Sequence, residues 1–235
     1  MLATLRQDLE AVRERDPASR STLEIILCYP GLHALWAHRL DHWLWTHDFK
    51  LIARVIAALI RWLTGVEIHP AATVGPGLFI DHATGVVIGE TTEIGENVTI
   101  YQGVTLGGTS LERGKRHPTV GDRVTIGAGA KILGPVTVGS DSRIGANAVV
   151  VRPVPANSVV VGVPGQVVSR SRPRLPTTVP DLDATGVPDL FGASLRSLLR
   201  RVDRLEQSLP DDEALTPATA QPSAAGVWPG EDFSI

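Results

Sequence analysis

The chain has 235 residues, with 22 Lys and Arg against 25 Asp and Glu, for a formal net charge of −3. Apolar residues make up 43% and charged residues 20%, which excludes wholesale disorder and a generally basic nucleic-acid binder. Glycine and proline are frequent while aromatics are only 5%, so any core must be built from small and β-branched side chains.

Leu2, Leu5, Leu9 and Val12 recur at helical spacing and predict a first helix ending before Asp16-Pro17. Arg6, Asp8 and Glu10 interrupt any early apolar run, so no signal peptide is read. The single cysteine, Cys28, has no internal disulfide partner, which fits a reducing compartment. Pro30-Gly31 breaks the region, and Leu32, Leu35, Trp36, Leu40, Trp43 and Leu44 predict a second helix. Leu51, Val55, Ile56, Leu59, Ile60 and Leu63 predict another, stopped by Gly65. This last stretch contains Arg54 and Arg61 and is too short to span a bilayer, so a soluble, cytoplasmic protein is expected. Trp36, Trp43, Trp45 and Trp62 are candidate core positions of a helical domain over residues 1–64.

From residue 65 the period changes. Aliphatic residues sit six apart at Ile68, Val74, Ile80 and Val86, then slip by two and continue at Ile88, Ile94, Ile100 and Leu106. After an insertion over 107–119 the rhythm resumes at Val120, Ile126, Ile132, Val138, Ile144 and Val150. Gly often follows the aliphatic residue, where it is expected to supply the tight backbone of a corner. Small or short-branched residues such as Thr92, Val98, Val104, Ala130, Ser142 and Ala148 sit four further on. A six-residue period predicts a parallel β-helix over 65–168, with three hexads per triangular coil and the aliphatic residues stacked inside. A sandwich of short strands would not hold that phase. Residues 169–235 hold one amphipathic helix (Leu195, Leu198, Leu199, Val202, Leu205), packed on the core or self-associated, within Pro-, Thr- and Ala-rich stretches expected to be mobile. The fold class is therefore α+β: a helical N-terminal domain, a β-helix, then a short helix and a flexible tail.

Inside the repeat, polar residues face out, and those to weigh are Glu67, His69, Asp81, His82, Glu90, Lys115, Arg116 and His117. His38 and His42 have i,i+4 spacing, but without an HExxH pattern they read as ordinary, partly exposed helix histidines. Asp81-His82 lies where the hexad phase slips, and His117 closes the insertion behind Arg113, Lys115 and Arg116. Departures from a regular repeat mark sites. A zinc site from His69, His82 and His117 is conceivable, although nothing in the spacing singles it out.

Several strings carry a resemblance: Val66-Glu67-Ile68-His69-Pro70-Ala71, Asp81-His82-Ala83-Thr84-Gly85, Val104-Thr105-Leu106-Gly107-Gly108-Thr109 and Arg116-His117-Pro118. With Arg15-Asp16-Pro17, the helical stretch from Gly31 to Trp45, Ile126–Lys131 and Gly162-Val163-Pro164-Gly165, they resemble bacterial serine O-acetyltransferase, over roughly residues 12–168. The resemblance implies a left-handed β-helix, a homotrimer with active sites between neighbouring subunits, and acetyl transfer from acetyl-CoA to the L-serine hydroxyl, with no metal. It implies His82 as general base, with a neighbouring carboxylate orienting the imidazole. That position is usually Asp in the family and is Glu67 here, so the extra methylene re-fits the geometry. Asp16 and Asp81 are implied around the serine ammonium, Arg116 and His117 at its carboxylate, and Glu90 beside them. Gly107, Gly108, Thr109, Ala128, Lys131, Arg143 and Ala146 are implied along the coenzyme, small residues admitting the pantetheine arm and cations meeting its phosphates. L-Cysteine is implied as a feedback inhibitor, first in line as a competitor of serine. The ending Asp232-Phe233-Ser234-Ile235 resembles the family's tail, whose terminal Ile enters O-acetylserine sulfhydrylase (cysteine synthase). The helical domain is short beside relatives with an extra extension, so assembly is expected to stop at a trimer. The rivals are another hexapeptide acetyltransferase with a sugar or antibiotic acceptor, a γ-type zinc carbonic anhydrase, and a non-catalytic scaffold.

Overall fold

The computed structural model describes residues 2–170 and 190–206. Helix α1 (Leu2–Arg15) ends where Pro17 disfavours helical backbone at Asp16. Helix α2 (Thr22–Cys28), which the periodicity did not predict, is announced by a capping pair: Ser21 Oγ accepts from the Glu24 N–H at 3.2 Å. Helix α3 (Pro30–Thr46) starts on Pro30 rather than after Gly31, because a first-turn proline gives up no helical hydrogen bond. Helix α4 (Lys50–Thr64) stops at Gly65, which takes the left-handed conformation at φ 72° and donates to Arg61 O.

Two expectations for this region are corrected. The α4 stripe does not enter the core of its own chain: Leu51, Val55, Leu59 and Leu63 are exposed, as are Trp43 and Trp62, the latter 83%. The helix packs instead through Ala53, fully buried, and Ile60, which lies against the coil core. Helical periodicity reports an apolar face and not which surface covers it. His38 is buried, not partly exposed, with Nδ1 3.2 Å from Asp41 Oδ1; burial pushes the His38 pKa down and the Asp41 pKa up.

The remainder is a left-handed β-helix with three faces. The first face stacks β1 (Glu67–Ile68), β4 (Val87–Ile88), β7 (Thr105–Gly107), β10 (Lys131–Leu133) and β13 (Val149–Val150). The second stacks β2 (Thr73–Val74), β5 (Glu93–Ile94), β8 (Thr119–Val120) and β11 (Thr137–Val138). The third stacks β3 (Phe79–Ile80), β6 (Thr99–Ile100), β9 (Thr125–Ile126), β12 (Arg143–Ile144) and β14 (Ser158–Val161), closed by antiparallel β15 (Gln166–Arg170). The hexad aliphatics form the columns Ile68–Ile88–Leu106–Ile132–Val150 and Ile80–Ile100–Ile126–Ile144–Val160, all buried. Each buried Val or Ile contributes roughly 1.5–3 kcal/mol of transfer free energy, so the columns dominate stability.

The repeat glycines work differently from the expectation. A Cβ on Gly127 would lie 2.6 Å from Ala146 N, so the glycine is required by the close approach of the next coil. The left-handed corners fall two residues later, at residues such as Asn97, Arg123, Asp141 and Asn147.

The helices are fastened to the coil by buried charge. Arg15 donates from Nη1 to Gly77 O (3.0 Å) and Val98 O (3.1 Å), and from Nη2 to Asn97 Oδ1 (3.0 Å). Arg39 pairs with Asp8 at 3.1 Å and donates to Gly75 O and Val74 O, while Asp8 accepts from the Gly77 N–H. Gly31 allows α3 to touch the coil, since a Cβ there would stand 2.1 Å from Ile80 O. A further helix, α5 (Leu190–Glu206), belongs to a second unit. No helix among the described residues is long and apolar enough to cross a membrane. The expected mobile tail, with Asp232, Phe233, Ser234 and Ile235, lies outside the described residues.

Candidate active site

Two clusters of chemistry-bearing residues occupy two different corners of the coil. The first is the turn from β3 to β4, where the hexad phase slips. The two extra residues place His82 (φ 56°) and Ala83 (φ 57°) in left-handed backbone, a costly conformation that tends to mark functional positions. Ala83 is fully buried, which anchors the turn, while the His82 side chain is 72% exposed. Its Nε2 stands 3.9 Å from Asp81 Oδ2, the only carboxylate within ion-pair reach of the ring among the described residues. Asp16, just past α1, accepts from the Tyr29 hydroxyl at 2.5 Å and from the Ala18 N–H at 2.7 Å. Burial raises the Asp81 pKa and the nearby Asp16 charge adds to the rise, against the opposing pull of His82. Burial, then the Asp16 hydrogen bond, pushes Tyr29 up to about 12. Two neighbouring carboxylates, one of them within ion-pair reach of His82, suit an ammonium group.

The second corner is the turn from β4 to β5, onto which the 108–118 loop folds back. Arg116 Nη2 donates to Glu90 Oε2 at 2.5 Å, and that contact holds the Glu90 pKa below the usual carboxylate range. Lys115 is held by Thr91 O and Glu93 Oε1 at 2.8 and 2.9 Å. His117 is buried, and its Nδ1 accepts from the Thr91 N–H at 3.2 Å. A backbone N–H can only donate, so Nδ1 is unprotonated and Nε2 carries the proton. Burial first and the Arg116 charge second lower the His117 pKa, in keeping with a neutral ring. The ring lies over Gly89, where a Cβ would come within 2.0 Å of Cδ2. His69 stands at the same corner, its Nδ1 accepting from Ala71 N–H at 3.0 Å; burial and Arg54 push its pKa down to about 4. An open cleft of about 530 Å³ lies between Glu90, Thr91, Arg116 and loop residues 110–114. The Arg116 guanidinium lines this cleft, and a guanidinium suits a carboxylate; His117 lies buried behind it.

The expected coenzyme residues divide between the same two corners. Ala128 and Ala146 sit on the first, in register above His82 through the ladder Thr84–Gly103, Gln102–Gly129 and Ala128–Asn147. Gly107, Gly108 and Thr109 lead into the loop on the second, with Thr109 Oγ1 lying against Gly134. Lys131 turns its Nζ onto Gly103 O and Gly129 O at 2.5 and 2.8 Å, bracing the first corner's carbonyls. Arg143 lies half-buried in β12. Glu67 stands in β1, and its Oε2 pairs with Arg61 Nη1 at 2.9 Å; within the chain, among the described residues, it makes no hydrogen bond to His82. No group of three His, Cys, Asp or Glu among the described residues is arranged to hold a metal ion. Reading the sequence missed Tyr29, Thr91 and Gly89. Tyr29 has no motif around it, and Thr91 and Gly89 gain their roles only when the loop folds back.

Residues 1–37 match the family described as serine acetyltransferase, N-terminal, and residues 117–152 match that described as bacterial transferase hexapeptide (six repeats). A serine acetyltransferase of Mycobacterium tuberculosis is 60% identical over 235 residues, covering 100% of both chains. A solved serine acetyltransferase in complex with cysteine is 47% identical, with a TM-score of 0.70, over 72% of this chain and 70% of its own. A serine acetyltransferase of Brucella abortus in complex with coenzyme A is 45% identical, with a TM-score of 0.71, over 73% of this chain and 68% of its own.

Proposed function

Because the chain belongs to the serine acetyltransferase family, which moves acetyl from acetyl-CoA to the L-serine hydroxyl, we propose that two corners from neighbouring subunits of a trimer close around the substrates. The observation that carries this is the split itself: His82, Asp81 and Asp16 occupy one corner, and Arg116, His117 and Glu90 another, one face of the same coil apart. An amino acid engages both sets at once only if a second subunit presents the complementary corner. Cyclic, head-to-tail assembly does this at every interface.

In the assembled site Asp16 and Asp81 hold the serine ammonium, and Arg116 with the His117 Nε2–H holds the carboxylate. Glu90 keeps the guanidinium aimed. His82 removes the hydroxyl proton as the serine oxygen attacks the thioester carbonyl. The tetrahedral adduct then expels the CoA thiolate, which takes the proton back from the imidazolium. Ala128 and Ala146 on one side and Gly107, Gly108 and Thr109 on the other admit the pantetheine arm, with Arg143 and Lys131 as the cations at hand. The test is mixing. Chains carrying His82→Ala and chains carrying Arg116→Ala, inactive separately, should regain about a quarter of wild-type turnover when co-assembled, the fraction of interfaces with both corners intact. No recovery in verified mixed trimers would put the whole site on one chain.

Glu67 is proposed as the carboxylate behind His82, released from Arg61 when the site closes. Glu67→Gln should then be at least tenfold slower than Glu67→Asp, since only the latter keeps the charge that steadies an imidazolium. Equal rates for the two would remove Glu67 from the mechanism. L-Cysteine, matching serine's ammonium and carboxylate, should compete with it as feedback inhibitor. The free, exposed Cys28 fits a reducing cytoplasm.

The last residues are proposed to enter O-acetylserine sulfhydrylase. The Ile235 carboxylate would mimic the amino acid carboxylate in a backbone-amide nest, with Asp232, Phe233 and Ser234 flanking. A peptide of the final ten residues should compete with O-acetylserine, and deleting Ile235 should abolish the complex while sparing acetyl transfer. Persistence of the complex without Ile235 would move the interface onto the folded parts.

A further inference from the structure

We propose that α5 assembles with its copies in the other two subunits as a parallel, three-stranded coiled coil that ties one trimer together beyond the β-helix. The inference rests on the trimer reading above. On α5 the side chains of Leu198, Leu199 and Val202 are 55%, 53% and 46% exposed, an apolar face on a helix outside the unit formed by α1–α4 and the coil. The sequence supplies the register. Phe191, Leu195, Leu198, Val202 and Leu205 alternate at spacings of four and three, which are the a and d positions of a heptad. Every charged residue from Arg196 to Glu206 falls outside those two positions.

The charges choose the direction. Arg201 takes position g and Glu206 the e position of the following heptad, the two places that meet between neighbouring parallel helices. An antiparallel pair would set position g against g, and Arg201 against another arginine. Leu199, also at position e, widens the apolar seam beyond the a/d stripe, which suits three strands better than two. Five a and d positions are too few for a free helix of this length to associate strongly. Three copies tethered to one trimer reach an effective concentration in the millimolar range, which removes that shortfall. The 19 residues from 171 to 189 can span up to about 60 Å, enough to bring three helices to a common axis.

The test uses the full-length chain with Cys28→Ser and one introduced cysteine. With Leu205→Cys, mild oxidation should link copies into disulfide dimers at least tenfold faster than with Arg200→Cys, which sits at the outer f position. Phe191→Cys should also link to itself, as only the parallel arrangement allows at both ends. Equal rates for Leu205→Cys and Arg200→Cys would overturn the coiled coil while leaving a sedimenting trimer untouched. Linking of Phe191→Cys only to Leu205→Cys chains would overturn the parallel direction. A wild-type chain that sediments as a monomer would overturn this inference and the trimer together.

Discussion

Replacing His82 with Ala should lower acetyl transfer about 10²–10⁴-fold, the usual loss for a positioned general base. Thermal stability and assembly should stay at wild-type values. The two halves of that expectation come from one feature. The side chain is 72% exposed and packs on little, so its removal opens no cavity, while the turn is held by the buried Ala83 beneath it. Assays at saturating serine and acetyl-CoA, with a melting curve alongside, decide the matter. A variant keeping more than about a tenth of wild-type turnover would place the base elsewhere.

The second large effect is expected far from the proton transfer. Arg15→Met should destabilise the fold by about 2–4 kcal/mol, because it strips a buried guanidinium from its acceptors on the coil. Arg15 is 5% exposed and donates to Gly77 O, Val98 O and Asn97 Oδ1, which fastens the end of α1 to two successive coils. The next residue is Asp16, so loosening this anchor should also raise the KM for serine more than it lowers kcat. Arg15→Lys, with the charge but fewer donors, should fall between the two. A Tm for Arg15→Met within about a degree of wild type would show that Arg15 does not fasten α1 to the coil.

The coil was legible because its geometry leaves the sequence no freedom. A triangular coil one residue wide inside must receive an aliphatic side chain every sixth position, and each such residue is buried where the period placed it. The slip before Val87 likewise marked His82, since extra residues in a strict repeat must leave it. The helical region was less legible. The seven-residue α2 is too short for a period to emerge, and the apolar stripe of α4 faces away from its own chain. At the site, residue types were readable while their distribution was not. The corner each residue occupies follows from counting hexads in threes, but its hydrogen bonds depend on a loop that obeys no period. Glu67 shows the limit, for its pairing with Arg61 comes from a helix end that no hexad arithmetic contains.

A ladder of parallel strands has no inherent last rung, and its open edge is the surface on which identical coils would stack into fibres. The antiparallel β15 supplies the stop. It pairs with β14 through a register shift between Val159 and Val160, so the edge it turns outward carries neither the direction nor the phase of a hexad. At the other end α3 and α4 lie against β1, and α1 and α3 against β3, so helices cover two of the three strands of the first coil. A repeat that could extend indefinitely is thereby interrupted on the third face at one end and on two faces at the other.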